Sequence, residues 1–195
     1  MDTLTPFTHL LPALDPVPVH AAAATLSVLL LLGAWDKLRE LALFRDAVEA
    51  YRLLPASLVA PAALALALAE ALAGALLLAG PLRAAGALLA LALLAVVSGA
   101  VALNLARGHT AIDCGCGGIA TGRHQPLSAG LLARNAVLAL LALVAAAPGN
   151  GRALLWLDAA AVGCFTLFGF GLYHLANLLL SQHATLAALR RDGHS

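Results

Sequence analysis

Two cysteines separated by one glycine, Cys114 and Cys116, have a spacing typical of redox chemistry. They lie in residues 107–128, the one long polar loop in the second half of an apolar chain. A disulfide between them would close a small, strained ring, and strain makes such a bond a good oxidant that exchanges readily. The motif therefore predicts dithiol–disulfide chemistry at a bilayer surface.

The residues around the two thiols leave three interpretations open. Gly115, Gly117 and Gly118 relieve backbone constraints, and nearby cations favour the thiolate while Asp113 opposes it. A zinc site needs about four ligands, and the loop adds only His109, His124 and Asp113, so we expect no metal. Two interpretations then remain: the pair is chemically inert, or it is redox-active. Redox use is favoured because two of the chain's three cysteines stand together in its main polar loop.

Composition indicates the elements that hold this loop. Hydrophobic residues make up 62% of the 195 residues and charged residues 11%, against about half and a quarter in soluble domains. Apolar runs of the length that crosses a bilayer, about 20 residues, cover 17–35, 55–79, 84–106, 127–147 and 156–180. We predict an all-α membrane protein, a single domain over 1–195 with about five transmembrane helices. In a membrane protein the net charge of +1 says nothing about nucleic acid, and we expect no nucleic-acid partner.

An amphipathic segment, residues 36–54, follows the first apolar run. Its apolar residues recur at steps of three and four: Leu38, Leu41, Phe44, Val48, Tyr51 and Leu54. This period predicts an interfacial helix, which serves either as a connection or as a docking surface for a partner.

The basic residues predict the orientation in the membrane. If the N-terminus is outside, the inner side holds nine of them (Lys37, Arg39, Arg45, Arg52, Arg107, Arg123, Arg134, Arg190 and Arg191) and the outer side two (Arg83 and Arg152). The positive-inside rule then places the cysteine loop on the cytoplasmic side.

Polar residues inside the predicted spans form a second group of candidates. Glu70 lies in the middle of a span and is expected to be protonated or paired; it would act as a proton relay, a quinone contact or a structural hydrogen-bonding group. Four more residues lie near the membrane face of the cysteine loop: Asn104, Arg134, Asn135 and His174. With Glu70 they would form a polar pathway; otherwise they are ordinary snorkelling side chains or interhelical hydrogen-bonding groups. Cys164 falls on the opposite side, too far to pair with the loop.

Four stretches carry a family resemblance: DKLRELALFRDAVEAYRLLP, AEALAGALLLAG, IDCGCGG and QPLSAGLLARN. They occur in this order between about residues 33 and 145. The chain resembles the methylamine utilisation protein MauE family, a branch of the DoxX-like redox-associated membrane proteins. In this family's motif Cys114 and Cys116 would be the redox pair, with Asp113, Gly115, Gly117 and Gly118 around it and Arg134-Asn135 starting the next helix.

The resemblance implies a multi-pass protein of the cell (inner) membrane that helps to mature the small (beta) subunit of methylamine dehydrogenase, beside a thioredoxin-like MauD-type partner. No resident cofactor is expected with certainty; a quinone remains open as electron acceptor. The alternative is a non-catalytic membrane chaperone or transport component whose cysteines are incidental, and a weaker one is a transporter using Glu70 and His174. The client that the resemblance implies is periplasmic, which disagrees with the cytoplasmic loop that the charges predict.

Overall fold

The computed structural model of the chain describes residues 14–109, 112, 127–150 and 152–192. Within these ranges the chain forms six α-helices and one 3₁₀ turn, and no strand longer than an isolated bridge between Leu14 and Gly149. The helices are α1 (Pro16–Arg39), α2 (Leu41–Ala50), α3 (Ala56–Leu78), α4 (Arg83–Ala106), α5 (Ala129–Ala146) and α6 (Trp156–Asp192), and the turn is Gly80–Leu82. The predicted all-α class is confirmed.

Five of the helices are long and apolar enough to cross a membrane: α1, α3, α4 with the preceding turn, α5, and α6 from Trp156 to Gln182. The protein is therefore a multi-pass membrane protein, as its composition predicts. The helix that contains the last span does not end near residue 180 but continues to Asp192. Residues 181–192 contain neither proline nor glycine and are rich in Ala, Leu and Arg, which favour helix.

Helix α1 is the centre of the bundle. It packs against α3, α5 and α6, while α4 packs against α3 and α5. The main core is built largely of alanine, with Ala22, Ala73, Ala87 and Ala142 each at most 4% exposed. Small side chains let helix backbones approach closely, which suits a lipid environment where packing contacts replace the hydrophobic effect.

Helix α2 lies against α3 as an amphipathic helix after the first span, as predicted. Phe44 is 6% exposed and Tyr51, just after the helix, is 9% exposed. Arg45, Asp46 and Glu49 on the other face are exposed. The three-and-four spacing of the apolar residues thus describes the buried face of this helix.

A cluster of charges ties the start of α1 to the loop before α6, at the end of the bundle opposite α2. Arg152 contacts Asp15 at 3.3 Å and Asp158 at 2.8 Å, and Leu14 exchanges backbone hydrogen bonds with Pro148 and Asn150. The Val17 N–H and the Arg152 guanidinium hold the pKa of Asp15 below its ordinary value. These groups are solvent-accessible, so the cluster adds little to stability and mainly fixes the loop.

The turn between α3 and α4 depends on Gly86. A Cβ placed on this residue would lie 2.7 Å from the backbone N of Leu77 and 2.9 Å from the carbonyl carbon of Leu76. These are backbone atoms that cannot rotate away. The absence of a side chain at this position therefore lets α3 and α4 approach closely.

We predict that Gly86→Ala lowers the free energy of unfolding by about 1–3 kcal/mol, the usual cost of overpacking. Gly99→Ala in the same helix is the matched control, since nothing lies within 4 Å of its added Cβ. The control should be neutral or stabilising by up to about 1 kcal/mol, because alanine favours helix over glycine. Unfolding by SDS titration in mixed micelles measures both. Equal stability of the two variants would contradict the close contact.

Candidate functional site

An ion pair between Lys37 of α1 and Glu70 of α3 lies inside the bundle. The Lys37 ammonium donates to both carboxylate oxygens, with Nζ 2.7 Å from Oε1 and 2.5 Å from Oε2. The two side chains are only 9% and 14% exposed. Glu70 is thus paired, one of the two states expected for a carboxyl in the middle of a span. Each charge satisfies the other where neither would be tolerated alone.

Lys37 is the partner that the sequence does not reveal. The apolar run ends near Trp35, so Lys37 is predicted to be one of the interfacial charges. In the structure α1 continues as a helix to Arg39, and this continuation carries Lys37 towards α3. A carboxyl in the middle of a span requires a partner, and this requirement is the one signal that would have prompted a search for a cation.

A second polar network joins α4, α5 and α6 around Arg134. Its guanidinium donates to Asn177 Oδ1 at 2.6 Å and to Asn135 Oδ1 at 3.1 Å. Asn135 in turn donates to Ser98 Oγ at 3.1 Å. The guanidinium carbon lies 5.3 Å from the ring centroid of Tyr173, a cation–π distance. Arg134 therefore connects three helices and does not reach out to the membrane surface.

The ion pair and the Arg134 network line one cavity of about 80 Å³. Its polar lining consists of Lys37, Glu70, Arg134, Asn135 and Tyr173, and the rest is leucine, alanine, valine and glycine. The space exceeds the roughly 15 Å³ that one water needs. Three of the residues predicted to form a polar pathway, Glu70, Arg134 and Asn135, are thus brought together. Whether they form a pathway remains a prediction.

The other two predicted pathway residues do not line this cavity. Asn104 is fully buried in α4, where its Nδ2 donates to the carbonyl of Ala100 at 3.1 Å. Its Oδ1 has no hydrogen-bond partner among the residues that the structure describes. His174 is exposed on α6 and has its ring against Phe170, with centroids 4.3 Å apart.

A larger cavity, of about 290 Å³, lies between α2 and the spans α3 and α4. Phe44, Val48 and Tyr51 contribute the α2 side, and Lys37 and Glu70 lie at its polar end. The ion pair therefore lines two cavities, one towards α5 and α6 and one beneath the interfacial helix.

The cysteine motif, Asp113 to Gly118, lies outside the described residues, but the residues flanking it are placed. The Leu127 N–H donates to the carbonyl of Ile112 at 3.2 Å. Ile112 packs against a cluster formed by Tyr51, Val101, Leu127 and Leu131. The base of the loop is thus fixed to the bundle next to α2. Cys164, in contrast, is an exposed thiol in α6.

These features define a polytopic α-helical membrane protein with an interfacial helix and paired charges in its interior. A family model described as methylamine utilisation protein MauE matches residues 15–148. The chain belongs to the MauE family, and with it to the methylamine utilisation system.

Curated relatives support this assignment along most of the chain. The chain is 40% identical over 182 residues to the MauE protein of Methylorubrum extorquens, covering 93% of each protein. It is 38% identical over 133 residues to that of Paracoccus denitrificans, covering 68% of this chain and 70% of the relative. The Paracoccus versutus protein is 40% identical over 133 residues. No solved structure matches.

We predict that Lys37→Met destabilises the protein by about 3–5 kcal/mol, because it leaves the Glu70 carboxylate buried without its cation. Replacing both members, Lys37→Met with Glu70→Leu, should restore stability to near that of the native protein. The free energy of unfolding of the native protein, the single variant and the double variant in mixed micelles measures this. Additive losses in the double variant would show that the two side chains do not interact.

Proposed function

We propose that the protein assists the maturation of the methylamine dehydrogenase small subunit through thiol–disulfide exchange at Cys114 and Cys116. The observation that carries this proposal is the Cys-Gly-Cys motif, which falls within the segment matched by the family model. The client and a thioredoxin-like MauD-type partner come from the family resemblance. The chemistry comes from the spacing of the two thiols.

The exchange proceeds in two displacements at sulfur. A thiolate of the client or of the partner attacks one sulfur of the Cys114–Cys116 disulfide and forms a mixed disulfide. A second thiolate of the same molecule displaces the bound sulfur. The molecule that supplied both thiolates gains a disulfide and gives up two electrons and two protons, which Cys114 and Cys116 gain as they become a dithiol. The reduced pair must then pass these electrons to an acceptor before the next cycle.

The anchored base of the loop supports this role. Cys114 follows Ile112 by two residues in the sequence, and two peptide units span at most about 7–8 Å. Ile112 is held by Leu127 and packs near Tyr51. Ile112, two residues before Cys114 in the sequence, therefore lies at the end of the bundle where α2 lies, the same end at which α1 finishes and α5 begins.

A different role is the docking of a partner on α2 without redox chemistry. The surface available for such docking is smaller than the sequence suggests. Lys37, a cation within residues 36–54, is buried against Glu70. Arg39 and Arg45 remain exposed. Variants of Cys114 and Cys116 distinguish thiol–disulfide exchange from docking without redox chemistry.

We predict that Cys114→Ser and Cys116→Ser each reduce disulfide formation in the small subunit at least tenfold, since either change removes the internal disulfide. Cys164→Ser is the matched control and should have no effect, because that thiol lies on α6 and is not part of the Cys-Gly-Cys motif. Non-reducing mass spectrometry of the small subunit, together with immunoblots of the membrane fraction, gives disulfide content and insertion. Normal maturation in the double variant would make the cysteines incidental and favour a non-catalytic chaperone.

The side of the membrane is tested in the Cys164→Ser background, where Cys114 and Cys116 are the remaining thiols. Lys37 and Arg134 lie inside the bundle, which leaves seven of the nine basic residues on the loop side against two opposite. We therefore predict that intact cells, after reduction, react with a membrane-permeant maleimide and not with an impermeant one. Labelling by the impermeant reagent would place the loop outside, beside the periplasmic client.

A further inference from the structure

The cavity beneath α2 has the properties of a ligand site that opens to lipid. Its volume of about 290 Å³ exceeds the roughly 150 Å³ cavity that is known to hold benzene in a protein core. Leu54, Val96 and Leu103 line it and are 42%, 61% and 43% exposed. On a membrane-spanning bundle such exposed side chains face the hydrocarbon, so a ligand would enter from the bilayer.

One end of this apolar cavity is polar. The Lys37 ammonium supplies N–H donors and the Glu70 carboxylate supplies acceptor oxygens. A ligand that alternates between a carbonyl and a hydroxyl on the same ring atom finds a suitable partner in both states. A lipid acyl chain would use neither group.

The side of the cavity formed by α2 is aromatic. Phe44 and Tyr51 are seven residues apart and lie on one face of the interfacial segment, and both line the cavity. Aromatic rings favour stacked or edge-on contact with another planar ring. The apolar face of α2 thus closes a space suited to a flat ring.

The cavity adjoins the base of the cysteine loop. Tyr51 lines the cavity and also belongs to the cluster with Leu127, against which Ile112 packs. The same side chain thus belongs both to the cavity lining and to the cluster that holds Ile112, two positions before Cys114.

We propose that this cavity binds the ring of a lipid-soluble quinone, which accepts the two electrons released by the thiol pair; this inference rests on the proposed function. In the step, two S–H bonds break and one S–S bond forms between Cys114 and Cys116. The two electrons and two protons reduce the two quinone carbonyls to hydroxyls. Lys37 and Glu70 position the ring through one of its oxygens.

The binding test uses the full-length protein in phospholipid nanodiscs with a photoreactive azido-quinone carrying a short isoprenoid tail. Illumination should place adducts on α2 or on residues 96–103 of α4, and excess unlabelled quinone should abolish them. Gly99→Leu, which adds a side chain at a residue lining the cavity, should reduce labelling at least fivefold. Gly171→Leu is the matched control, because open space also surrounds its Cβ.

A second variant guards against a folding defect in the first. The double replacement Lys37→Met with Glu70→Leu removes the polar end while keeping the bundle stable, and should also reduce labelling at least fivefold. Adducts outside the cavity, labelling that neither variant lowers, or displacement by a fatty acid and not by quinone would overturn the proposal.

The thiol chemistry is scored separately on the same samples. The reduced protein should convert added quinone to hydroquinone in a one-to-one ratio, and Cys114→Ser with Cys116→Ser should abolish this while leaving photolabelling unchanged. Labelling without hydroquinone formation by the native protein would overturn the quinone as electron acceptor and leave the binding site intact, while the exchange with the client is tested on its own by the disulfide content of the small subunit. Hydroquinone formation without cavity labelling would overturn the binding site and leave the electron transfer to quinone intact.

Discussion

The ion pair between Lys37 and Glu70 is the constraint that organises this bundle. Alanine and leucine surfaces pack against one another in many registers, because small apolar side chains offer few distinguishing contacts. Two opposite charges in a medium of low dielectric allow far fewer packing registers. A register that separates them costs several kcal/mol (about 3–5 when one partner is removed). About one turn away along α3, Ser27 donates to the carbonyl of Gly74 at 2.7 Å, and a Cβ on Gly74 would overlap Leu31. Together these contacts fix how α1 lies along α3.

The rest of the interior is arranged around that fixed pair. On one side, the Arg134 network holds α4, α5 and α6 at a cavity too small for more than a few waters. On the other side, α2 covers a larger, mostly apolar cavity. Tyr51 follows this interfacial helix directly and belongs to the cluster against which Ile112, at the base of the cysteine loop, packs. The buried charges and the loop that carries the thiols are therefore connected through one short amphipathic element.

The sequence predicts those features that depend on composition and length. Five spans and the amphipathic helix follow from apolar runs and a three-and-four period, and the structure has both. The partner of Glu70 could not be predicted in the same way, because hydropathy falls at Trp35 although the helix continues through Lys37. Asn104 and His174 lie near the expected membrane face but lie apart from the cavity. Their direction depends on rotation about the helix axis, which helices that are apolar all round do not reveal. The cysteine motif is recognisable by sequence alone and lies outside the described residues.

The pairing of charges on two different spans has a consequence for biogenesis. A carboxylate at the centre of an isolated helix costs roughly 2.5–3.5 kcal/mol during translocon insertion, and Glu70 emerges from the ribosome more than thirty residues after Lys37. The cost of holding α3 in the lipid phase therefore falls once α1 lies beside it and supplies Lys37. A chain that lacks the first span leaves the Glu70 carboxyl in the bilayer without its cation.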